Sequence, residues 1–201
     1  MPEPSPLFVR LATLDDAEAI RAIYNREVTG STVTFDLRPR TLEDQRDWLE
    51  AHAGIHPAVV AVAGGGVVGG GVVGGGVVGF GSLSPYRDRP AYSTTVEDSV
   101  YVDAAARGQG AGWLLLAELV RLAGLHGFHS VVGRIVGGHQ ASIALHRACG
   151  FELVGVEREV GRKFGRWLDV VVMQHLLGPD GTTTLAPRPP VLDVPDPPDS
   201  A

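Results

Sequence analysis

The segment that most constrains the fold is an apolar run that leads into a glycine-spaced turn and then into a helical pattern. Residues 96–102 form the extended apolar run, residues 107–112 contain a glycine at every second position, and residues 113–125 have helical spacing. Glycine lets backbone N–H groups approach an anion without interference from a Cβ atom, and a helix that begins there adds unpaired N–H donors and the positive end of its dipole. This pattern predicts a site for a phosphorylated ligand.

The glycine spacing excludes two common phosphate-binding fingerprints. Trp113 occupies the position of the third glycine of the dinucleotide-binding pattern, and no Gly-Lys-Ser/Thr completes a P-loop. What remains, Arg-Gly-x-Gly-x-Gly after a strand, resembles the pyrophosphate loop of the GNAT superfamily of N-acetyltransferases, which carry acetyl groups on coenzyme A. The resemblance implies acetyl-CoA as the cofactor. The cofactor-binding candidates are Tyr101, Val102, Arg107, Gly108, Gln109, Gly110, Ala111, Gly112, His139 and Ser142.

The composition predicts one globular domain that acts on a small molecule. The chain has 201 residues, 44% of them hydrophobic, and a formal net charge of −6, which argues against non-specific binding to nucleic acid or to an anionic membrane. The N-terminal segment lacks the basic start and the apolar stretch of a signal peptide, and Cys149 is the single cysteine. We therefore expect a cytoplasmic location, a small molecule as the partner, which the resemblance implies to be an amine, and no metal.

The order of the predicted elements is β-α-α-β-β-β-α-β-α-β-β, an α/β (α+β) arrangement, within a domain spanning residues 8–177. The GNAT resemblance implies a mixed, mostly antiparallel sheet flanked by helices and splayed at the acetyl-CoA site. The predicted strands are 8–12, 58–63, 77–83, 96–102, 130–136, 153–160 and 168–177, and the predicted helices are 14–24, 42–52, 113–125 and 141–148.

Three segments predict structure without chemistry. Residues 64–78 repeat Gly-Gly-Gly-Val-Val three times, and because an odd period cannot keep every valine pair on one face, they predict a mobile extension of a β-hairpin. A glycine ribbon that closes over a ligand is the alternative. Residues 1–7 and the proline-rich residues 178–201 are expected to be disordered.

A closer resemblance is carried by the strand before the glycine turn. Its sequence, Glu97-Asp98-Ser99-Val100-Tyr101-Val102, resembles the Glu-x-Ser/Thr-Val-Tyr-Val signature of the phosphinothricin N-acetyltransferase subfamily. That resemblance implies that Glu97 takes the proton of the amine, directly or through water, whereas a solvent-facing strand carboxylate is the alternative. It also implies an oxyanion donor at a backbone N–H near Val102, freed where the sheet splays after Tyr101.

A second cluster follows the next predicted strand. Residues 137–151 resemble the family segment Asn-x-Ala-Ser-x-x-Leu-His/Tyr-x-x-x-Gly-Phe, with His139 in place of the asparagine that contacts pantetheine. An imidazole cannot copy both the donor and the acceptor of an amide. Ser142 is a helix cap or a cofactor contact. His146 is a proton donor for the departing thiolate or a core histidine, and Cys149 a small buried hydrophobe.

The acceptor side has three candidate patches. Phe35, in the loop after the first helix, resembles one wall of the subfamily's acceptor pocket. Arg87, Arg89 and Tyr92 precede Glu97, so a guanidinium there could bind a carboxylate or phosphinate. Lys163 belongs to a Lys-Phe-Gly-x-Trp-x-Asp segment of the same subfamily, whose aromatic and basic residues suit a pocket lining or a dimer contact.

The resemblance implies an acetyl-CoA-dependent N-acetyltransferase acting on the α-amine of a small amino acid or analogue, such as phosphinothricin, methionine sulfoximine or methionine sulfone. It also implies a homodimer. Two alternatives stay open: a non-catalytic acyl-CoA-binding sensor, and transfer to another amine, such as a polyamine, an aminoglycoside or a protein.

Overall fold

The computed structural model describes residues 7–64, 66–68, 71–73 and 75–178, with only the backbone for 66–68 and 71–73. The disorder predicted for residues 1–6 and 179–201 lies outside the described residues. Leu7, which the sequence analysis assigned to the disordered N-terminus, is the first residue of a strand, so that boundary was one residue late.

The elements follow the predicted order, with two short strands added inside the glycine-valine repeat. The helices are α1 (Ala17–Gly30), α2 (Leu42–Ala51), α3 (Ala111–Leu125) and α4 (Gln140–Ala148). The strands are β1 (Leu7–Leu11), β2 (Ala58–Ala63), β3 (Gly66–Val68), β4 (Gly71–Val73), β5 (Gly76–Pro85), β6 (Thr95–Val102), β7 (Ser130–Val136), β8 (Glu152–Lys163) and β9 (Arg166–Leu176).

Seven strands form one sheet in the order β1-β2-β5-β6-β7-β9-β8. Only β6 and β7 run parallel, which confirms the mixed, mostly antiparallel sheet. These two strands pair only from Thr95 opposite Ser130 to Asp98 opposite Gly133, although both continue beyond. The sheet therefore splits after Asp98, which is earlier than the predicted point after Tyr101.

The glycine-valine repeat extends the hairpin formed by β2 and β5. Strands β3 and β4 pair antiparallel in a sheet of their own, with Val67 opposite Val72 and Gly66 opposite Val73. This pairing agrees with a hairpin within the repeat, and the mobility of the segment stays a prediction.

Two apolar layers cover the faces of the main sheet. One contains α3 and α4, and the other contains α1 and α2. Fully burying a leucine side chain contributes roughly 1.5–3 kcal/mol, and α3 is the helix with the most buried leucines. They are Leu115, Leu116, Leu119 and Leu122. This packing holds the N-terminus of α3 beside the split between β6 and β7. Among the described residues, no helix is both long and apolar enough to cross a membrane.

The close packing of α3 on β5 makes a prediction for Gly79. A Cβ atom there would lie 2.9 Å from the backbone oxygen of Tyr101 and 3.1 Å from Leu115 Cδ1. We expect Gly79→Ala to lower the free energy of unfolding by roughly 1–3 kcal/mol, as overpacking does in other cores, measured by chemical denaturation. The control is Gly76→Ala on the same strand, where a Cβ atom meets nothing within 4 Å. Equal losses in both variants would contradict this explanation.

Candidate active site

The split between β6 and β7 opens into a cleft of about 520 Å³. Its walls are the second half of β6, the glycine turn with the first residues of α3, the end of β7, and one side of α4. The lining residues are 98–102, 106–108, 110–113, 134–136, 139, 141, 142, 145 and 146, together with Glu27 and Val33.

The glycine turn builds an anion cradle at the N-terminus of α3. Gly108 has φ +76° and Gly110 has φ +93°, conformations that a residue with a Cβ atom rarely adopts. The first bond of the helix runs from the N–H of Leu114 to the carbonyl of Gly110, so the N–H groups of residues 111–113 have no acceptor within the helix. The first turn of α3 contains no acidic residue. These N–H groups and the helix dipole therefore favour a phosphate group at this end of the cleft.

Two ion pairs tie the turn to α1. The Nη2 of Arg107 lies 2.6 Å from Glu27 Oε1, and its Nε donates to the carbonyl of Val102 at 3.2 Å. Asp103 pairs with Arg26. Gln109, a predicted cofactor residue, instead turns its amide back to the carbonyl of Ala105 and does not line the cleft.

The backbone of β6 directs an N–H group of Val102 into the split. The N–H of Asp103 donates to the carbonyl of Val78 on β5. Because successive residues of a strand direct their N–H and C=O groups to opposite sides, those of Val102 point away from β5. The bond from Arg107 Nε to the Val102 carbonyl agrees with this orientation. The role of this N–H as an oxyanion donor stays a prediction.

Glu97 lies beside the cleft on the face of β6 opposite to Asp98. Burial raises the pKa of its carboxyl, Asp98 and Glu157 raise it further, and Arg134 opposes them without reversing the shift. Arg134 lines the cleft and forms an ion pair with Glu157, with Nη2 at 2.6 Å from Oε2. Sequence reasoning missed Arg134, although a lone arginine within an apolar strand was a signal that could have found it.

His146 lies at the floor of the cleft, nearly excluded from solvent. Its Nδ1 lies 2.8 Å from the carbonyl oxygen of Ser142, and its Nε2 lies 3.1 Å from Asp98 Oδ2. Both ring nitrogens thus have protein partners, so the predicted proton donor has no ring nitrogen left to face a ligand. Burial lowers the pKa of His146, but the charge and hydrogen bond of Asp98 outweigh burial and the net shift is upward. Sequence reasoning missed this pairing.

The other residues of the second cluster surround the start of α4. His139 is the N-cap residue of α4 and lines the cleft, so the predicted capping by Ser142 does not occur. Burial lowers the pKa of His139, and Arg107 lowers it further, which favours a neutral ring. Ser142 also lines the cleft. Cys149 is fully buried and burial raises its pKa to about 12, which agrees with a small buried hydrophobe.

Lys163 and Phe35 build a wall rather than reach into the cleft. Lys163 is buried, and its Nζ donates to the carbonyl of Thr34 at 2.7 Å, so the predicted substrate residue instead holds the loop after α1. Burial lowers the pKa of this ammonium group. Phe35 packs on Gly161 of β8 so closely that a Cβ atom there would meet the ring.

The predicted acceptor residues Arg87, Arg89 and Tyr92 lie in the exposed segment before β6. Arg87, Arg89 and Tyr92 do not line the cleft. Arg87 packs on the ring of Tyr86, 4.9 Å from its centroid, and its charge acts on the carboxyl of Glu97. Tyr92 also packs against Tyr86. Of the three, Arg87 is the one whose position bears on Glu97.

Comparisons with known proteins agree with this geometry. The model of the Acetyltransferase (GNAT) family matches residues 18–151. A phosphinothricin N-acetyltransferase from Streptomyces coelicolor is 38% identical over 170 residues, which is 85% of this chain and 96% of that protein. An L-methionine sulfoximine/L-methionine sulfone acetyltransferase from Pseudomonas aeruginosa is 38% identical over 172 residues, 85% of this chain and 95% of that protein.

This chain is also similar in structure to a solved protein with a bound ligand. The GNAT superfamily phosphinothricin acetyltransferase from Sinorhizobium meliloti, in complex with acetyl-CoA, has a TM-score of 0.78 and 36% identity, covering 90% of this chain and 93% of that one. Because the family match spans most of the domain, and relatives of this similarity cover nearly their whole length, the chain belongs to the acetyltransferase (GNAT) family.

Proposed function

We propose that the protein transfers the acetyl group of acetyl-CoA to the α-amine of a small amino acid or analogue of the phosphinothricin, methionine sulfoximine or methionine sulfone type. The observation that carries the proposal is the split of β6 from β7. It brings an anion cradle and a strand N–H at Val102 to one cleft, and it leaves Glu97, whose carboxyl has a raised pKa, next to Asp98 at the edge of that cleft. Relatives that carry those substrate names, at 38% identity, support the acceptor class.

The cleft fits acetyl-CoA by its charge and its donors. The N–H groups at the start of α3 would hold the pyrophosphate, because they lack acceptors and no carboxylate competes for them. Arg107 adds a cation beside them. Val102 from β6 and Ser142 from α4 would flank the pantetheine arm. His139, where the family has asparagine, would serve as a neutral ring on the same wall.

The residues around the split divide the chemistry between them. Acetyl-CoA supplies a thioester carbonyl: a C–N bond forms, the C–S bond breaks, and of the two protons lost by the substrate ammonium one ends on sulfur and one in solvent. Glu97 accepts a proton from the amine. The N–H of Val102 stabilises the negative charge that develops on the carbonyl oxygen. A thiol has an ordinary pKa of roughly 8.5, so the departing thiolate needs little help from an acid.

Arg87 is the better candidate to bind the acceptor's carboxylate near Glu97, because both terminal nitrogens of Arg134 already bind Glu157. Arg134 lines the cleft between Glu97 and Glu157, and Arg87 lies on the exposed side. A guanidinium can bind a carboxylate through two parallel hydrogen bonds, which would orient the amine toward the base.

We also propose that the protein forms a homodimer and acts in the cytoplasm. The support for a dimer is an apolar surface on the β8–β9 hairpin, whose exposed side chains are unusual for a solvated sheet. They are Leu153, Val154, Val156, Val160, Phe164 and Trp167.

The function is tested first by an acceptor panel. We expect purified protein with acetyl-CoA to release free coenzyme A when given phosphinothricin, methionine sulfoximine or methionine sulfone, and to be much slower with spermidine, an aminoglycoside or a peptide. Thiol release, with the acetylated product verified by mass spectrometry, measures it. Turnover confined to the polyamine or the aminoglycoside would contradict the proposed acceptor class, and binding of acetyl-CoA without any turnover would favour the sensor.

The role of Glu97 is tested by Glu97→Gln. We expect kcat to fall by roughly 10²–10⁴, the usual contribution of a general base, while the Kd of acetyl-CoA is unchanged. Since burial raises the pKa of Glu97 above its ordinary value of 4.5, the basic form is present above that raised pKa and is lost as the pH falls through it. The wild-type pH–rate profile should therefore have an acid limb above pH 4.5 that the variant lacks. Glu152→Gln, an exposed position on β8, is the control, and an acid limb kept in Glu97→Gln would rule out Glu97 as the base.

The cradle is tested by Gly110→Ala. An alanine in a left-handed conformation costs roughly 1–2 kcal/mol, and at Gly110 the resulting shift displaces the N–H groups that face the phosphate. We expect a weaker Kd for acetyl-CoA by isothermal titration calorimetry together with a lower melting temperature. Gly127→Ala is the matched control, because Gly127 has φ +79° but lies beyond the far end of α3. It should lose stability and keep its affinity, and a similar loss of affinity in both variants would argue against the cradle.

A further inference from the structure

We infer that Asp98 and His146 form a buried pin that fixes α4 against β6 where the sheet splits, and that these two positioning residues set the width of the acetyl-CoA cleft without exchanging protons with the reactants. The inference rests on the proposed function only in taking acetyl-CoA as the ligand of the cleft. It assigns Asp98 a role and gives His146 a different one from proton donation.

The pin sits at the last paired position of β6 and β7. Asp98 pairs with Gly133 there, and the strands separate beyond it. The imidazole of His146 lies over Gly133, where a Cβ atom would be 2.6 Å from Cδ2 and 2.7 Å from Nε2 of the ring and 3.2 Å from Asp98 Oδ1. The ring thus occupies the space that any side chain at position 133 would take. Glycine at this position admits the pin into the sheet.

The two hydrogen bonds of the His146 ring show where its protons are. The carbonyl of Ser142 can only accept, so the Nδ1 of His146 carries a proton. The contact of 3.1 Å between Nε2 and Asp98 Oδ2 needs a second proton between the two atoms. Both protons are used inside the protein, and giving either to a ligand would break a bond of the pin.

Few other titratable groups face the pin. They are His139 at the start of α4, Cys149 at its end, and His175 on β9, which packs on Phe151, while Glu97 is next to Asp98 in the chain but projects to the opposite face of β6. The ring of Phe151 covers His146 edge-on, with centroids 4.9 Å apart. Among the described residues, Asp98 Oδ1 has no hydrogen-bond partner, so His146 is the group that balances this buried carboxylate. Removing one partner leaves the other uncompensated, which favours the paired arrangement strongly.

The pin sets the width of the cleft because few other buried side chains hold α4 in place. This helix has nine residues, of which Ile143 and His146 are buried. His139 and Ser142 at its start line the cleft, and Ser142 is itself bonded to the ring. A shift of His146 would therefore move the wall that faces β6.

The experiment compares Asp98→Ala with Asp98→Asn in the full-length protein. An alanine removes the partner of Nε2, so we expect the Kd of acetyl-CoA, measured by calorimetry without acceptor, to rise at least about tenfold and kcat to fall on the order of 100-fold. An asparagine amide can donate to Nε2 while Nδ1 still donates to Ser142, so Asp98→Asn should restore both values to within about fivefold of wild type. Asp47→Ala and Asp47→Asn, on the exposed face of α2, are the matched controls.

Two results would overturn the inference. One is that Asp98→Asn loses as much kcat as Asp98→Ala while it binds acetyl-CoA with the wild-type Kd. The pair would then affect turnover through its proton and not through the position of α4. If Asp98→Ala binds acetyl-CoA as wild type does, the pin does not set the cleft. Since acetyl-CoA binding is measured without an acceptor, a failure of the acceptor panel does not affect either result.

A measurement on the wild type covers the case in which Asp98→Ala does not fold. A pinned ring holds its second proton more tightly than a free one, so the ¹⁵N and ¹H resonances of His146 should titrate with a midpoint above the ordinary histidine value of 6.5. Titration with a midpoint near the ordinary histidine value would overturn the inference. Gly133→Ala, which crowds the ring and keeps both partners, should weaken acetyl-CoA binding in the same direction as Asp98→Ala.

Discussion

Backbone N–H and C=O groups that lose their partner strand need other hydrogen-bond partners. The separation of β6 from β7 leaves several such groups on both strands. The carbonyl of Val102 is bonded by Arg107, while its N–H faces the cleft. Arg107 is held in turn by Glu27 of α1. The sheet opens only because α3 carries the glycine turn beside it and α4 fills the gap above Gly133. Cofactor site and oxyanion donor thus follow from one interruption in the strand pairing.

The pleat of β6 gives two adjacent carboxylates different environments. Glu97 projects to the face of Arg134 and Glu157, where burial raises its pKa and leaves it able to take a proton. Asp98 projects to the other face and meets the ring of His146. A shift of one residue in the pairing of β6 would exchange the two faces. The register with β7 therefore decides which of the two carboxylates faces the acceptor.

Local sequence patterns predicted the features that depend on neighbouring residues only, namely strand bounds and a turn. The bounds of β2 and β7 and the glycine turn were correct, because strand propensity and positive φ act within a few residues. Contacts between distant segments were missed or misassigned. Lys163 was predicted to bind substrate because its segment resembles one of the subfamily, yet its Nζ donates to the carbonyl of Thr34, which is 129 positions away. No periodicity reports such a partner, and the pair formed by Asp98 and His146 was missed for the same reason.

The acceptor wall is built from contacts of that long-range kind. Lys163 holds the carbonyl of Thr34, and the hydroxyl of Thr34 lies 2.8 Å from that of Tyr24. Tyr24 packs edge-on against Tyr101, with ring centroids 5.1 Å apart, and Tyr101 lines the cleft. A continuous series of contacts thus runs from the β8–β9 hairpin to the inner wall of the site. The hairpin is thereby linked to Tyr101 in the cleft through Lys163, which does not itself line the cleft.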